Sequence, residues 1–196
     1  MKIVLALVVF TLLLAGAGLA FIYHGSYDIA ASSPDSGLIH WVLETTQHNA
    51  VHRAAHEFEE TAKVPALDDP ALIRTGLVHY HEMCVTCHGA PGVKISEIGQ
   101  GLNPYPPELA AEAAHEGAAE LFWVTKHGIK MTGMPAFGAT HNDEEIWAIV
   151  AFIKKMGSLS PPQYEAMVQE AGLGVAAAVP AEHHHEHAPG TPPHVD

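Results

Sequence analysis

Three side chains able to hold a cofactor stand within five residues, in Cys84-Val85-Thr86-Cys87-His88. Two thiols at this spacing can add to the two vinyl groups of one haem, and the adjoining imidazole is then placed to ligate the iron. Two other chemistries use paired cysteines. A redox dithiol of the thioredoxin type needs a strand before the pair and a helix after it, whereas here a helical pattern precedes the pair and a stretch rich in glycine and proline follows. A structural zinc site needs a second pair of ligands at matching spacing, and Cys84 and Cys87 are the chain's two cysteines. The expected cofactor is therefore one covalently bound haem c.

The elements that must position these residues can be read on either side of them. Asp69 as a cap and Pro70 at the first helical position open a helix that runs to about Met83, directly into the pair. Residues 89–107 carry Gly92, Gly99, Gly101, Pro104, Pro106 and Pro107 and read as loop. Helices are expected at about Glu108–Ala114 and Ala118–Lys126, the second closed by Gly128, with loop again from Ile129 to Thr140. Asn142 with Glu145 three residues on is a capping box, and Ile146, Ile149, Val150 and Ile153 then form one apolar stripe, broadened by Trp147 and Met156. Ser160-Pro161 starts a further helix to about Glu170.

Residues 69–156 resemble the class I family of monohaem c-type cytochromes. The likeness rests on the haem-attachment pentapeptide, on Gly76 and Tyr80 before it, and on Phe152 in the last helix. In that family the glycine and the two aromatics lie where the first helix crosses the last. The resemblance implies an all-α haem domain of the class I cytochrome c fold. It also implies that Pro107, in Pro107-Glu108-Leu109, accepts a hydrogen bond from His88, although Pro104 and Pro106 compete for that role. Gly133-Met134-Pro135-Ala136-Phe137-Gly138 resembles the family's methionine loop, which makes Met134 the expected second axial ligand beside His88. Met131, His127 and His141 remain alternatives, Met131 being otherwise expected to line the pocket.

Outside that domain the chain begins with Lys2 and an uncharged run from Ile3 to Ile22, long enough to span a bilayer as a helix. It reads as a transmembrane anchor, with a cleaved signal peptide as the alternative. Both readings export the remainder, placing the haem domain at the periplasmic face of the inner membrane. A helix from Ser36 to about Lys63 follows, with Leu38, Trp41, Val42 and Thr45 on one stripe and a weaker continuation through Val51, Ala54, Ala55 and Phe58. The organisation expected is thus anchor (1–23), juxtamembrane helical segment (24–63), haem domain (64–158), short helix (159–173) and a disordered histidine-rich tail (174–196).

His40, His48, His52 and His56 share one face of the juxtamembrane helix and read as a solvated polar surface, a metal or docking site being the sharper alternative. The tail cluster His183, His184, His185 and His187 suits weak divalent metal binding by composition alone. A net charge of −13 argues against nucleic acid as a partner. Redox proteins or a respiratory complex are expected instead, with Lys94, Lys126 and Lys130 as a local positive rim for docking. The expectation is an electron carrier without substrate chemistry, the alternatives being an electron-entry subunit of a larger oxidase or dehydrogenase and a haem enzyme or sensor with a labile ligand.

Overall fold

In the computed structural model, residues 1–33, 35–113 and 116–174 are described. The histidine-rich tail expected at 174–196 lies outside them but for Gly174. The fold is all-α, with no strand among the described residues. The chain divides into two compact units, residues 1–43 and the residues from 44 onward.

The first unit contains α1 (Lys2–His24), closed by Gly25 in the left-handed region at φ 66°. Gly25 suits that turn because a side chain there would meet the following carbonyl. Helix α1 is long and apolar enough to cross a membrane, and all its side chains are exposed. Helix α2 (Gly37–Glu59) begins in this unit and continues into the next. It stops at Glu59, short of the expected end near Lys63, because the backbone and the hydroxyl of Thr61 both donate to the Phe58 carbonyl, and Pro65 follows.

The second unit is organised by α3 (Pro70–His79) and a long helix near its end. Asp69 opens α3 by accepting from the Ala71 amide at 2.8 Å, with Pro70 where no amide is needed. A single π turn (Tyr80–Cys84) and the short α4 (Val85–His88) continue it. Three helices then follow, α5 (Glu97–Gln100), α6 (Leu109–Glu112) and α7 (Ala118–His127), and after a 3₁₀ turn (Phe137–Ala139) comes α8 (Asp143–Met156). The capping box at α8 is formed in both directions, Asn142 with the Glu145 amide at 3.0 Å and Glu145 with the Asn142 amide at 2.8 Å. Its apolar positions, from Ile146 to Ile153 and Met156, are all buried.

Helices α3 and α8 cross where α3 carries a glycine. A Cβ on Gly76 would run into the carbonyl oxygen of Ala148, lie 2.5 Å from its carbon and 2.9 Å from the Phe152 Cβ. Tyr80, one turn on, packs its ring 5.3 Å from that of Phe152. The core also draws in residues on either side of 64–158. From α2, Phe58 stacks on Phe122 at 4.7 Å with the planes 4° apart, and Phe122 stacks on Trp147 at 4.3 Å. From α9 (Pro161–Glu170), Tyr164 and Val168 are buried in the same cluster.

This crossing predicts an inverted helix-propensity effect. Alanine in place of glycine inside a helix ordinarily gains about 1 kcal/mol. Gly76→Ala should instead lower stability by roughly 1–3 kcal/mol, the usual cost of forcing atoms into a filled core. The midpoint of guanidinium unfolding measures it, and an unchanged or raised midpoint would show that the helices can separate at no cost.

Candidate haem site

The residues singled out from sequence are delivered by one continuous piece of helix and three loops. Helix α3 leads through the π turn, where the Val85 amide reaches back to the Tyr80 carbonyl, so Cys84 closes a widened turn and Cys87 and His88 follow on α4. Gly89 ends α4 at φ 63°, where a Cβ would stand 2.8 Å from the Val93 carbonyl oxygen. The Gly89 carbonyl accepts a buried hydrogen bond from the Tyr80 hydroxyl at 2.7 Å. The aromatic of the helix crossing thereby also pins the chain as it leaves His88.

Around this piece the loops are held at specific contacts. Ser96 donates its amide to the Thr86 carbonyl at 3.0 Å, and a Cβ on Gly99 would lie 3.1 Å from the Cys87 Cα, so α5 sits directly against Cys87. Beyond α5, Leu102 packs on Gly133, whose missing Cβ would be 2.7 Å from a Leu102 methyl. Pro107 brings its carbonyl oxygen to within 2.9 Å of His88 Nδ1. Of the three prolines in this loop, Pro107 therefore makes the contact. The loop bearing Met134 crosses Gly128, which has φ 63° and no room for a Cβ under the Met134 carbonyl. Met134 donates its amide to Thr132 Oγ1 at 3.1 Å and accepts from the Ile129 amide at 3.2 Å.

The structure thus joins His88 to Pro107 directly. It brings the Met134 loop into the same cluster through Gly133 and Leu102. Met134 is half-buried, whereas Met131 is 97% exposed with φ 61°. His127 lies on Trp123 at 4.9 Å, and His141 packs edge-on to His79 at 5.2 Å and Phe137 at 5.8 Å while bonding Thr140.

Sequence reasoning missed several supporting residues. The clasp from Tyr80 to Gly89 and the packing of Gly99 and Leu102 are long-range contacts without a local signal. Of the rim lysines, Lys94 and Lys130 are exposed. Lys126 instead pairs with Asp143 at 2.6 Å and lies over the Phe122 ring. On α2, His48 and His52 have ring centres 6.4 Å apart and His56 faces Glu60 at 3.9 Å, all exposed. Among the described residues no three His, Cys, Asp or Glu side chains are grouped to hold a metal ion.

Residues 71–153, from the start of α3 to near the end of α8, match the family model described as cytochrome c oxidase, cbb3-type, subunit III. These residues form a c-type cytochrome domain. Comparison of the whole chain with curated proteins gives no match.

The electrostatics of the cytochrome domain fit a haem. Burial, with a smaller contribution from Cys87, pushes the Cys84 thiol up to about 12, so it stays neutral at ordinary pH. A thiolate ligand for zinc would be costly there, whereas a thioether carries no charge. Burial also lowers the His88 pKa, opposed by the Pro107 carbonyl and Glu112. A carbonyl only accepts, so the bond to Pro107 places the imidazole proton on Nδ1 and leaves Nε2 with its lone pair, the form that binds metal.

The Tyr80 clasp gives a test. Tyr80→Phe strands a buried carbonyl and should cost about 1–3 kcal/mol. Tyr164→Phe, whose hydroxyl meets the partly exposed His81 at 2.9 Å, should cost less. Urea midpoints compare the two, and equal losses would mean that the Gly89 carbonyl finds another donor.

Proposed function

We propose that this chain is an electron carrier bearing one haem c, bonded through Cys84 and Cys87 and ligated by His88 and Met134. It is anchored in the cytoplasmic membrane by an uncleaved α1 and passes single electrons between redox partners at the periplasmic face. The observation that carries this reading is the bond from His88 Nδ1 to the Pro107 carbonyl at 2.9 Å, which orients the ring and fixes its tautomer for iron. When bound, the haem supplies an iron centre that takes up and gives back one electron.

The protein's own residues set the conditions for that exchange. Burial keeps His88 neutral, and the bond to Pro107 holds its proton on Nδ1 and strengthens Nε2 as a donor. Thr132 and Ile129 fix the backbone of Met134 on both sides, so its thioether is presented from a defined loop. A thioether is soft and favours ferrous iron, raising the potential above that of two imidazoles. With His88 and Met134 both holding the iron, no coordination site would be open to a small substrate, which favours a carrier over an enzyme. Lys94 and Lys130 offer local positive charge on an acidic chain for brief docking.

A second reading has its own support. The matching family model is described as a subunit of a cbb3-type oxidase, which favours an electron-entry subunit held within a larger respiratory complex. Purification in mild detergent separates the two, since a permanent subunit brings the complex with it and a shuttle does not.

Three measurements test the site. Haem should stay with the denatured chain through acid-acetone extraction, and its release would remove the thioether claim. The oxidised protein should show the weak sulfur-to-iron charge-transfer band at the red end of the spectrum. Met134→Ala should abolish it, lower the potential and admit carbon monoxide, while Met131→Ala should do none of these. The opposite behaviour of the two variants would transfer the ligand role to Met131.

A further inference from the structure

The first two turns of α2 are apolar in composition and exposed in the structure. Between Gly37 and Leu43 the chain reads Gly-Leu-Ile-His-Trp-Val-Leu without a charged residue. Successive residues of a helix turn by about 100°, which puts Leu38, Trp41 and Val42 on one side, Ile39 and Leu43 beside them, and His40 on the remaining one. A helix that is apolar nearly all round belongs in a core or in lipid. Yet Leu38 is 71% exposed and Trp41 61%, with Val42 and Leu43 exposed as well. From Glu44 the sequence becomes polar, through Thr45, Thr46, Gln47 and His48. The apolar character therefore stops within the helix and is not a property of α2 as a whole.

The segment between α1 and α2 shows what this surface lies near. Tyr27 donates its hydroxyl to Asp35 Oδ1 at 2.5 Å, the Ala30 amide donates to Asp28 Oδ1 at 2.9 Å, and the Ser33 amide donates to the Ala30 carbonyl at 3.0 Å. Tyr27 stands three residues past the end of α1, and Asp35 two before the start of α2. The bond between them closes the connection into a loop, so the apolar turns begin a short bonded path from the end of α1. The Ser36 side chain accepts from the Ile39 amide at 3.4 Å, holding the first turn helical where it leaves that loop.

We infer that residues 37–43 lie in the boundary between headgroups and acyl chains of the same bilayer that holds α1, as a second and shallow membrane contact. The inference rests on reading α1 as an uncleaved anchor. A tryptophan at the edge of an apolar segment suits that boundary, where its ring is buried and its N–H stays hydrated. No lysine or arginine occurs from residue 3 to residue 52, so attraction to acidic lipid plays no part and a zwitterionic surface is sufficient.

The test uses the full-length, haem-loaded protein in phosphatidylcholine vesicles, with one nitroxide placed through Leu38→Cys, His48→Cys or Leu13→Cys. Power saturation compares contact with oxygen, which concentrates in lipid, and with a water-soluble nickel chelate. The ratio of oxygen to chelate contact at position 38 should be several-fold that at position 48 and approach that at position 13. A label at 38 that is as open to chelate as the one at 48, with position 13 in lipid, overturns the interfacial contact and leaves the anchor standing. Loss of the position 13 label with a cleaved leader overturns the anchor reading, and this inference with it. Shielding of position 38 from both reagents identifies a protein as its cover and also overturns the inference.

Discussion

Helix α3 and helix α8 meet at a point where one of them has no side chain, and this approach governs the rest of the second unit. Because Gly76 leaves no atom between the helices, the Ala148 carbonyl and the Phe152 Cβ come against the α3 backbone. The next turn of α3 then places Tyr80 over Phe152. Tyr80 in turn reaches forward to the Gly89 carbonyl, one residue past His88. A packing contact in the core is thus connected, through one ring and one hydroxyl, to the place where the imidazole leaves its helix. Dispersion fixes the first link and hydrogen bonding the second, and both are buried away from competing water.

How much of this was legible in the sequence depended on whether the deciding interaction was local. The caps at Asp69-Pro70 and at Asn142 with Glu145 are interactions within four residues, and both stand as expected. The pentapeptide from Cys84 to His88 is local too. Gly76, Tyr80 and Phe152 became legible through the family resemblance, since nothing near Gly76 in sequence says what crosses it. The fate of α2 was not legible, because its two apolar stripes have the same period. Among the described residues, the stripe ending in Phe58 packs on Phe122 and Trp147, more than 60 residues away. Helix α5 lay hidden in a stretch that glycine and proline mark as loop; Ser96 accepting from the Gly99 amide makes a single turn there.

The loops around the site show a division of labour between glycine and side-chain contact. At Gly89 and Gly128 the backbone sits near φ 63°, and the neighbouring chain passes too close for a Cβ. At Gly99 and Gly133 the backbone is ordinary, and the glycine instead admits the Cys87 backbone and the Leu102 side chain. The first kind turns the chain and the second lets two segments touch. Together they hold α5 against Cys87 and the Met134 loop against the end of α7 and Leu102, without a sheet or a disulfide among the described residues.

The burial of Cys84 also bears on the order of events in the life of the molecule. With 7% of its surface exposed and its proton held to about 12, this thiol offers neither access nor a nucleophilic anion once the core has closed. A covalent bond at its sulfur would therefore form more readily before α3 has docked on α8 than after. Under the proposed haem attachment, modification would come first and folding second, and the closed core would then screen the sulfur from solvent.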